Sequence, residues 1–177
     1  MTFLKSAVFA AVTTAAAMTA PSCFAQTAAM PLTAADYNFI AQAAFGGWGE
    51  VSLGQVAQQR SGNPAITRLG AMLAADHMRA NQELASLAMA HGVTPPNTPD
   101  PGRQGVATML QAMSGPMFDR EFVMEQIADH QVSITLFQGE AQMSMDPALR
   151  GFAQRYVPVL QQHLQALMAA NNVAMAR

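Results

Sequence analysis

Four long stretches of the chain carry apolar residues alternately four and three positions apart, the spacing of one face of an α-helix. The first stripe is Phe39, Ala43, Gly46, Glu50, Leu53 and Ala57; the second is Ile66, Gly70, Leu73, His77, Ala80, Leu84 and Leu87. The third is Val123, Ile127, His130, Ile134, Phe137 and Ala141, and the fourth is Leu149, Phe152, Tyr156, Val159, His163, Ala166 and Ala170. Start and stop signals bracket each one. Thr33 with Asp36 three residues on reads as a capping box, and Ser61-Gly62 ends the first helix near Gln59. Asn63-Pro64 opens the second, which continues to His91 and closes at Gly92. Ser114-Gly115-Pro116 opens the third, reaching about Ser144, and Asp146-Pro147 opens the fourth. Pro158 removes a backbone donor inside that last helix and predicts a kink there.

Between the second and third stripes lies the one long connection, Val93 to Gly115, proline-rich at its start, with a short helix expected from about Gly105 to Met113. These elements predict an all-α, antiparallel four-helix bundle over residues 33–175, the long connection crossing it as in ferritin-like folds. Gly46-Gly47-Trp48-Gly49 stands out inside the first helix, because each glycine there is unfavourable by about 1 kcal/mol. Close backbone approach by a neighbour, or a local bulge, would account for it.

Every stripe but one contains a histidine, and the remaining one contains Glu50. Glu50 lies 12 residues before Gly62, His77 lies 13 after Pro64, and His130 and His163 lie 16 from Asp146 and Pro147. At 1.5 Å per residue these positions sit ~18–24 Å from their own hairpin turns, near mid-height of each helix. Four inward polar groups at one level cannot stay unpaired in an apolar core. Either one carboxylate and three neutral imidazoles hold a single divalent transition metal (zinc, copper or iron), or Glu50 pairs with a protonated histidine and water satisfies the rest. Asp76 and Asp129, each preceding a histidine in the repeated Ala-Asp-His, are candidate acceptors behind the ligands; Asn81 and Tyr156 are further candidate supports.

Composition removes many other functions. The chain is 51% hydrophobic and 11% charged with net charge −2, which offers no basic footprint for nucleic acid. Residues 1–25 read as an export signal, with Lys5 ahead of an apolar run too short to span a bilayer, and residues 26–32 as a flexible lead-in. The expected location is therefore the periplasm, with no transmembrane span in the mature protein; an uncleaved anchor and a lipid anchor on Cys23 are the minor alternatives. Cys23 is the only cysteine and Lys5 the only lysine, so disulfide, thiolate and lysine chemistry are excluded from the mature domain. No Ser-His-Asp order, glycine-rich phosphate loop or pair of catalytic glutamates stands out; no catalytic residue and no organic cofactor are assigned. Methionine is abundant, at 14 residues, and reads as core filling, with copper(I) binding the alternative. Asp119-Arg120 reads as a surface ion pair, and His91 as a cation at a helix C-terminus.

Several short motifs together resemble a bacterial exported family, the domain of unknown function 4142 family. They are Glu50-Val51-x-Leu53-Gly54, Asn63-Pro64-Ala65, Ala75-Asp76-His77 with Asn81, Phe118-Asp119-Arg120, Ala128-Asp129-His130, Phe152-Ala153 and Pro158-x-Leu160-x-x-His163-Leu164. The resemblance runs from about Asp36 to Ala170 and implies a ferritin-like four-helix bundle in the cell envelope, without supplying a substrate. Iron-oxidising ferritin-like proteins place a glutamate three residues before each metal histidine. Here those positions are Ala74, Ile127 and Leu160, which argues against a di-iron oxidase. The expected functions are thus a metal-binding bundle or, alternatively, a non-enzymatic envelope or stress-associated interaction module whose polar layer is structural, with a protein partner or second copy left open.

Overall fold

Side-chain capping marks the start of four of the five helices in the computed structural model, which describes residues 31–175 and side chains as far as residue 172; the helix that begins at Gly115 has no cap bond from Ser114. The expected export segment and nearly all of the lead-in lie outside the described residues. Helix α1 spans Ala34–Arg60, with the predicted capping box between Thr33 and Asp36 in place. Helix α2 spans Pro64–Ala90, its Asn63 side chain accepting from the Ala65 N–H, and Gly92 follows with φ +74°. Helix α3 spans Pro101–Gln111, α4 spans Gly115–Met143 and α5 spans Pro147–Met175. The short helix α3 starts four residues earlier than expected. Asp100 accepts from the N–H groups of Gly102 and Arg103, and Pro101 takes the first helical position, so the proline reads as a helix start. Helix α5 continues through Pro158.

Polar contacts fix the direction of each helix. The three-residue turns at 61–63 and 144–146 make α1/α2 and α4/α5 antiparallel hairpins. Ser144, at the end of α4, donates to Asp36 at the start of α1 (2.6 Å). Ser61, at the end of α1, donates to Asp119 at the start of α4 (2.5 Å). Helix α1 therefore runs against α4. His91 Nε2 lies 3.1 Å from Asp146 Oδ2, bringing the end of α2 to the start of α5. All neighbouring pairs are antiparallel, and α2 and α4 point the same way, so the connection between them must travel back along the bundle. Helix α3 lies on that path, packed against α1 and α4. This is the arrangement of a ferritin-like bundle with one long crossover.

The core is split in two. Phe39, Ile40, Leu84, Phe137, Leu149 and Phe152 form the heart of one apolar cluster. Leu53, Ile66, Leu73, Phe118, Phe122 and Leu167 form the heart of the other. Glu50, His77, His130 and His163 each fall between a residue of one cluster and a residue of the other along their helices.

Two glycine contacts show how closely α1 and α2 meet. A Cβ on Gly70 would stand 2.7 Å from Ala57 Cβ and 2.9 Å from the Gly54 carbonyl, and one on Gly54 would collide with the Gly70 carbonyl. Backbone cannot move aside as a side chain can. Gly54→Ala is therefore expected to destabilise by about 1–3 kcal/mol although alanine is the better helix former. Gly139→Ala, in a helix with nothing within 4 Å of the new methyl, is expected to be stabilising by up to ~1 kcal/mol. Urea unfolding of the two variants measures the contrast.

Three expectations are corrected by the packing. Helix α4 buries Phe118, Asp119, Phe122, Gln126 and Glu140, while Ile127, Ile134 and Ala141 of its predicted stripe are only half-buried. It is covered by α1, α3 and α5, so its buried sector is wider than a single stripe and displaced from it. Asp119 is buried against Ser61, with no surface ion pair to Arg120. Methionine is not core filling: none of the ten with described side chains is buried.

Candidate metal centre

The level counting is met in part. Glu50, His77, His130 and His163 are all buried, each contributed by a different long helix. The three imidazoles converge: their ring centroids form a nearly equilateral triangle with sides of 5.5, 5.5 and 5.4 Å. One nitrogen from each lies within 4.8 Å of the other two. Glu50 stands outside that group. Its Oε1 lies 3.6 Å from His130 Nδ1, on the far side of that ring from the other imidazoles. Helical rise gave its height correctly, but the direction of its side chain within the layer leaves it behind His130.

Hydrogen bonds assign the protons. The Gln126 carbonyl can only accept, so the 2.9 Å contact with His130 Nδ1 places a proton on that nitrogen and leaves Nε2 with a bare lone pair. His163 Nε2–H donates to Asp76 Oδ2 at 2.9 Å, so in the neutral ring Nδ1 carries the lone pair. His130 Nε2 and His163 Nδ1 face each other across 3.4 Å. His77 Nε2 has no hydrogen-bond partner. Two lone pairs at that distance repel unless a proton, a water or a cation stands between them.

Burial disfavours a proton on His77 and on His130. Burial pushes the His77 pKa well below the ordinary histidine value, and the neighbouring His130 and His163 push it further. Burial lowers His130 to about 4; the Gln126 bond opposes the fall and His163 adds to it. Glu50 moves the other way. Burial drives its pKa well up, assisted by the Asp129 charge, while Gln126 and Arg103 oppose the rise. The layer thus combines a carboxyl group driven toward its neutral form with two imidazoles, His77 and His130, also driven toward theirs. Both shifts run against the expected Glu50–imidazolium pair at His130, whose Nδ1 lies 3.6 Å from the carboxyl.

The candidate supports diverge. Asp76 lies about 100° round α2 from His77, which turns it toward α5 and onto His163; on its outer side it meets Arg79. Asp129 is displaced in the same sense from His130 and faces the groove covered by α3, where Arg103 Nε approaches to 3.7 Å. It touches no histidine. Arg103, held by Asp100 at 2.6 Å, explains Gly49, where a Cβ would stand 2.6 Å from its Cδ. Asn81 is buried with its amide over Gly47, where any Cβ would collide with Oδ1. The tight glycine run makes room for these two side chains. The Tyr156 hydroxyl donates to Glu83 (3.0 Å) and so does not reach the histidines.

A narrow cavity of about 20 Å³, room for a single water, adjoins the cluster. Gly47, His77, Ala80, Phe137, Val159 and His163 are among its walls.

A second buried polar cluster escaped the periodicity reading. Asp36, Glu140, Ser144 and Asp146 gather at one end of the bundle beside His91. Burial alone would raise the Asp36 pKa, but hydrogen bonds from Ser144 and Thr33 outweigh it and hold the group below the usual value. Glu140 is pushed up to about 7 by burial and by the Asp36 charge and hydrogen bond. The outward signal was the capping box: an N3 aspartate facing a partner helix meets whatever polar residue that helix presents.

Taken together, the chain is an all-helical bundle built around a buried triad of histidines. Residues 21–170 match the family described as Domain of unknown function (DUF4142), and the chain belongs to that family. No curated protein and no solved structure matches it.

Proposed function

We propose that this is an exported, periplasmic protein that binds one divalent transition metal through His77, His130 and His163. The observation that carries the reading is the 3.4 Å separation of the bare His130 Nε2 and His163 Nδ1. Two metal–nitrogen bonds of ~2.0–2.1 Å at a tetrahedral angle put their nitrogens ~3.3–3.4 Å apart. One edge of a tetrahedral ligand set is thus already drawn, with its tautomers set by a backbone carbonyl and a carboxylate, as ligating histidines usually are. Three neutral imidazoles favour zinc, copper(II) or iron(II) over magnesium or calcium, which prefer oxygen donors. With Glu50 outside the group, the fourth position falls to a small ligand, and the adjoining cavity has room for one water. A metal there would supply Lewis acidity to whatever occupied that position.

Titration of zinc into chelator-treated protein, followed by calorimetry, tests the reading. One site per chain is expected. Asp76→Asn keeps the side-chain shape but weakens the acceptor for His163 Nε2–H, and affinity is expected to fall 10–100-fold. Asp129 contacts Arg103 and no histidine, so Asp129→Asn is expected to leave affinity within about twofold. Equal effects of the two substitutions, or no saturable binding, would defeat the proposal.

A further inference from the structure

Methionine is ordinarily among the more buried residue types. In this chain its distribution is inverted. Met78 and Met113 are half-buried, and the other eight with described side chains are exposed, from 39% at Met109 to 71% at Met143. They are spread over the surface: Met72 and Met89 on α2, Met109 on α3, Met117, Met124 and Met143 on α4, Met145 in the following turn, and Met168 on α5. Among the described residues, every large exposed hydrophobic residue apart from Tyr37 and Val132 is a methionine. The two apolar clusters, conversely, are built from Phe, Leu, Ile, Val and Ala, with one half-buried methionine at their edge. A scattering over four helices is unlike a docking face, and it is unlike the convergence that a copper(I) site needs.

The rest of the composition sharpens the contrast. Cys23 and Lys5 are the only thiol and side-chain amine in the chain, and neither falls among residues 31–175. Over that span the thioethers have no competing thiolate and no lysine amine for an electrophilic oxidant. We propose that this surface is a sacrificial sink for two-electron oxidants of the hypohalous-acid and peroxide class. With hypochlorous acid the net step forms one S–O bond and breaks the O–Cl bond. The sulfur loses two electrons, the chlorine leaves as chloride, and the acid's proton is released. The product sulfoxide is polar, which disrupts a core but is harmless on a surface. Confining methionine to exposed positions therefore lets the protein be oxidised repeatedly without unfolding. This function is independent of the histidine triad.

The test compares the full chain, stripped of metal, with a variant carrying leucine at all eight exposed positions, such as Met72→Leu and Met143→Leu. Each is mixed with a bystander enzyme that depends on an exposed thiol, and hypochlorous acid is added in steps. The natural chain is expected to consume about one equivalent per exposed methionine before the bystander loses half its activity, and the variant less than half as much. Peptide mass mapping should find sulfoxide at the eight positions before Met78 and Met113, with the melting temperature moved by no more than a few degrees. Equal protection by the variant, or cooperative unfolding of the natural chain as sulfoxide accumulates, would overturn the proposal. If the variant fails to fold, the order of oxidation and the retained melting temperature of the natural chain still decide it.

Discussion

Zinc at a thousandfold excess over its dissociation constant is expected to raise the melting temperature of the metal-free protein by about 8–16 °C. A ligand that binds only the folded state at that excess contributes ~4 kcal/mol, and a domain of this size gains ~2–4 °C per kcal/mol. The effect is large because the three nitrogens are already gathered in the fold and are scattered in the unfolded chain. His130→Ala removes one of the three imidazoles and is expected to abolish the zinc-dependent rise, whatever it does to the melting temperature without metal. Glu50→Gln is expected to preserve the rise, since Glu50 lies behind His130 and contributes no nitrogen or oxygen to the group. Differential scanning calorimetry with zinc and with chelator separates these outcomes; a rise lost in Glu50→Gln and kept in His130→Ala would reverse the assignment.

Glu140→Gln is expected to make the metal-free protein more stable at pH 8 by roughly 1–3 kcal/mol and to change it little at pH 4.5. The folded protein holds the Glu140 proton up to about pH 7, whereas the unfolded chain releases it near the ordinary glutamate value. A raised acid of this kind contributes stability below its unfolded pKa and loses it as pH rises through the folded one. His130 works in the opposite sense. Its folded pKa of about 4 lies below the ordinary histidine value, so its contribution is complete above ~6.5 and is lost as pH falls toward 4. Glu50 and His77 are shifted in the same directions as Glu140 and His130 respectively. The natural protein should thus show opposing slopes that partly cancel between about pH 4.5 and 6.5. The Gln variant should lose Glu140's share of the falling limb and keep the share that Glu50 contributes. Urea unfolding at pH 4.5, 6 and 8 checks this, and a Gln effect of equal size at each pH would show that Glu140 does not carry the proton.

Height along the bundle was legible in the residues; direction across it was not. Counting from Gly62, Pro64, Asp146 and Pro147 placed four polar groups at one level, because every α-helix rises by the same amount per residue. Which way each group points within the level depends on partners that no single helix contains. Asp76 and Asp129 precede their histidines in identical tripeptides, yet one meets His163 and the other Arg103. The difference is the neighbour: α5 covers one face and α3 the other. The His130–Gln126 bond involves a backbone carbonyl, which leaves no mark on residue choice. Glycine carried more information than its rarity in helices suggests. Gly47, Gly49, Gly54 and Gly70 each mark a place where Asn81, Arg103 or a facing backbone comes too close for a methyl group. Methionine carried less, since its abundance says nothing about which side of a helix it occupies.

X-ray absorption at the metal edge of the zinc-loaded protein tests the triad most directly. The expected spectrum contains three imidazole nitrogens at ~2.0–2.1 Å and one further light-atom ligand, with one imidazole lost in His163→Ala. A first shell of oxygens alone, or an imidazole signal that His77→Ala, His130→Ala and His163→Ala all leave unchanged, would contradict a metal held by these three histidines.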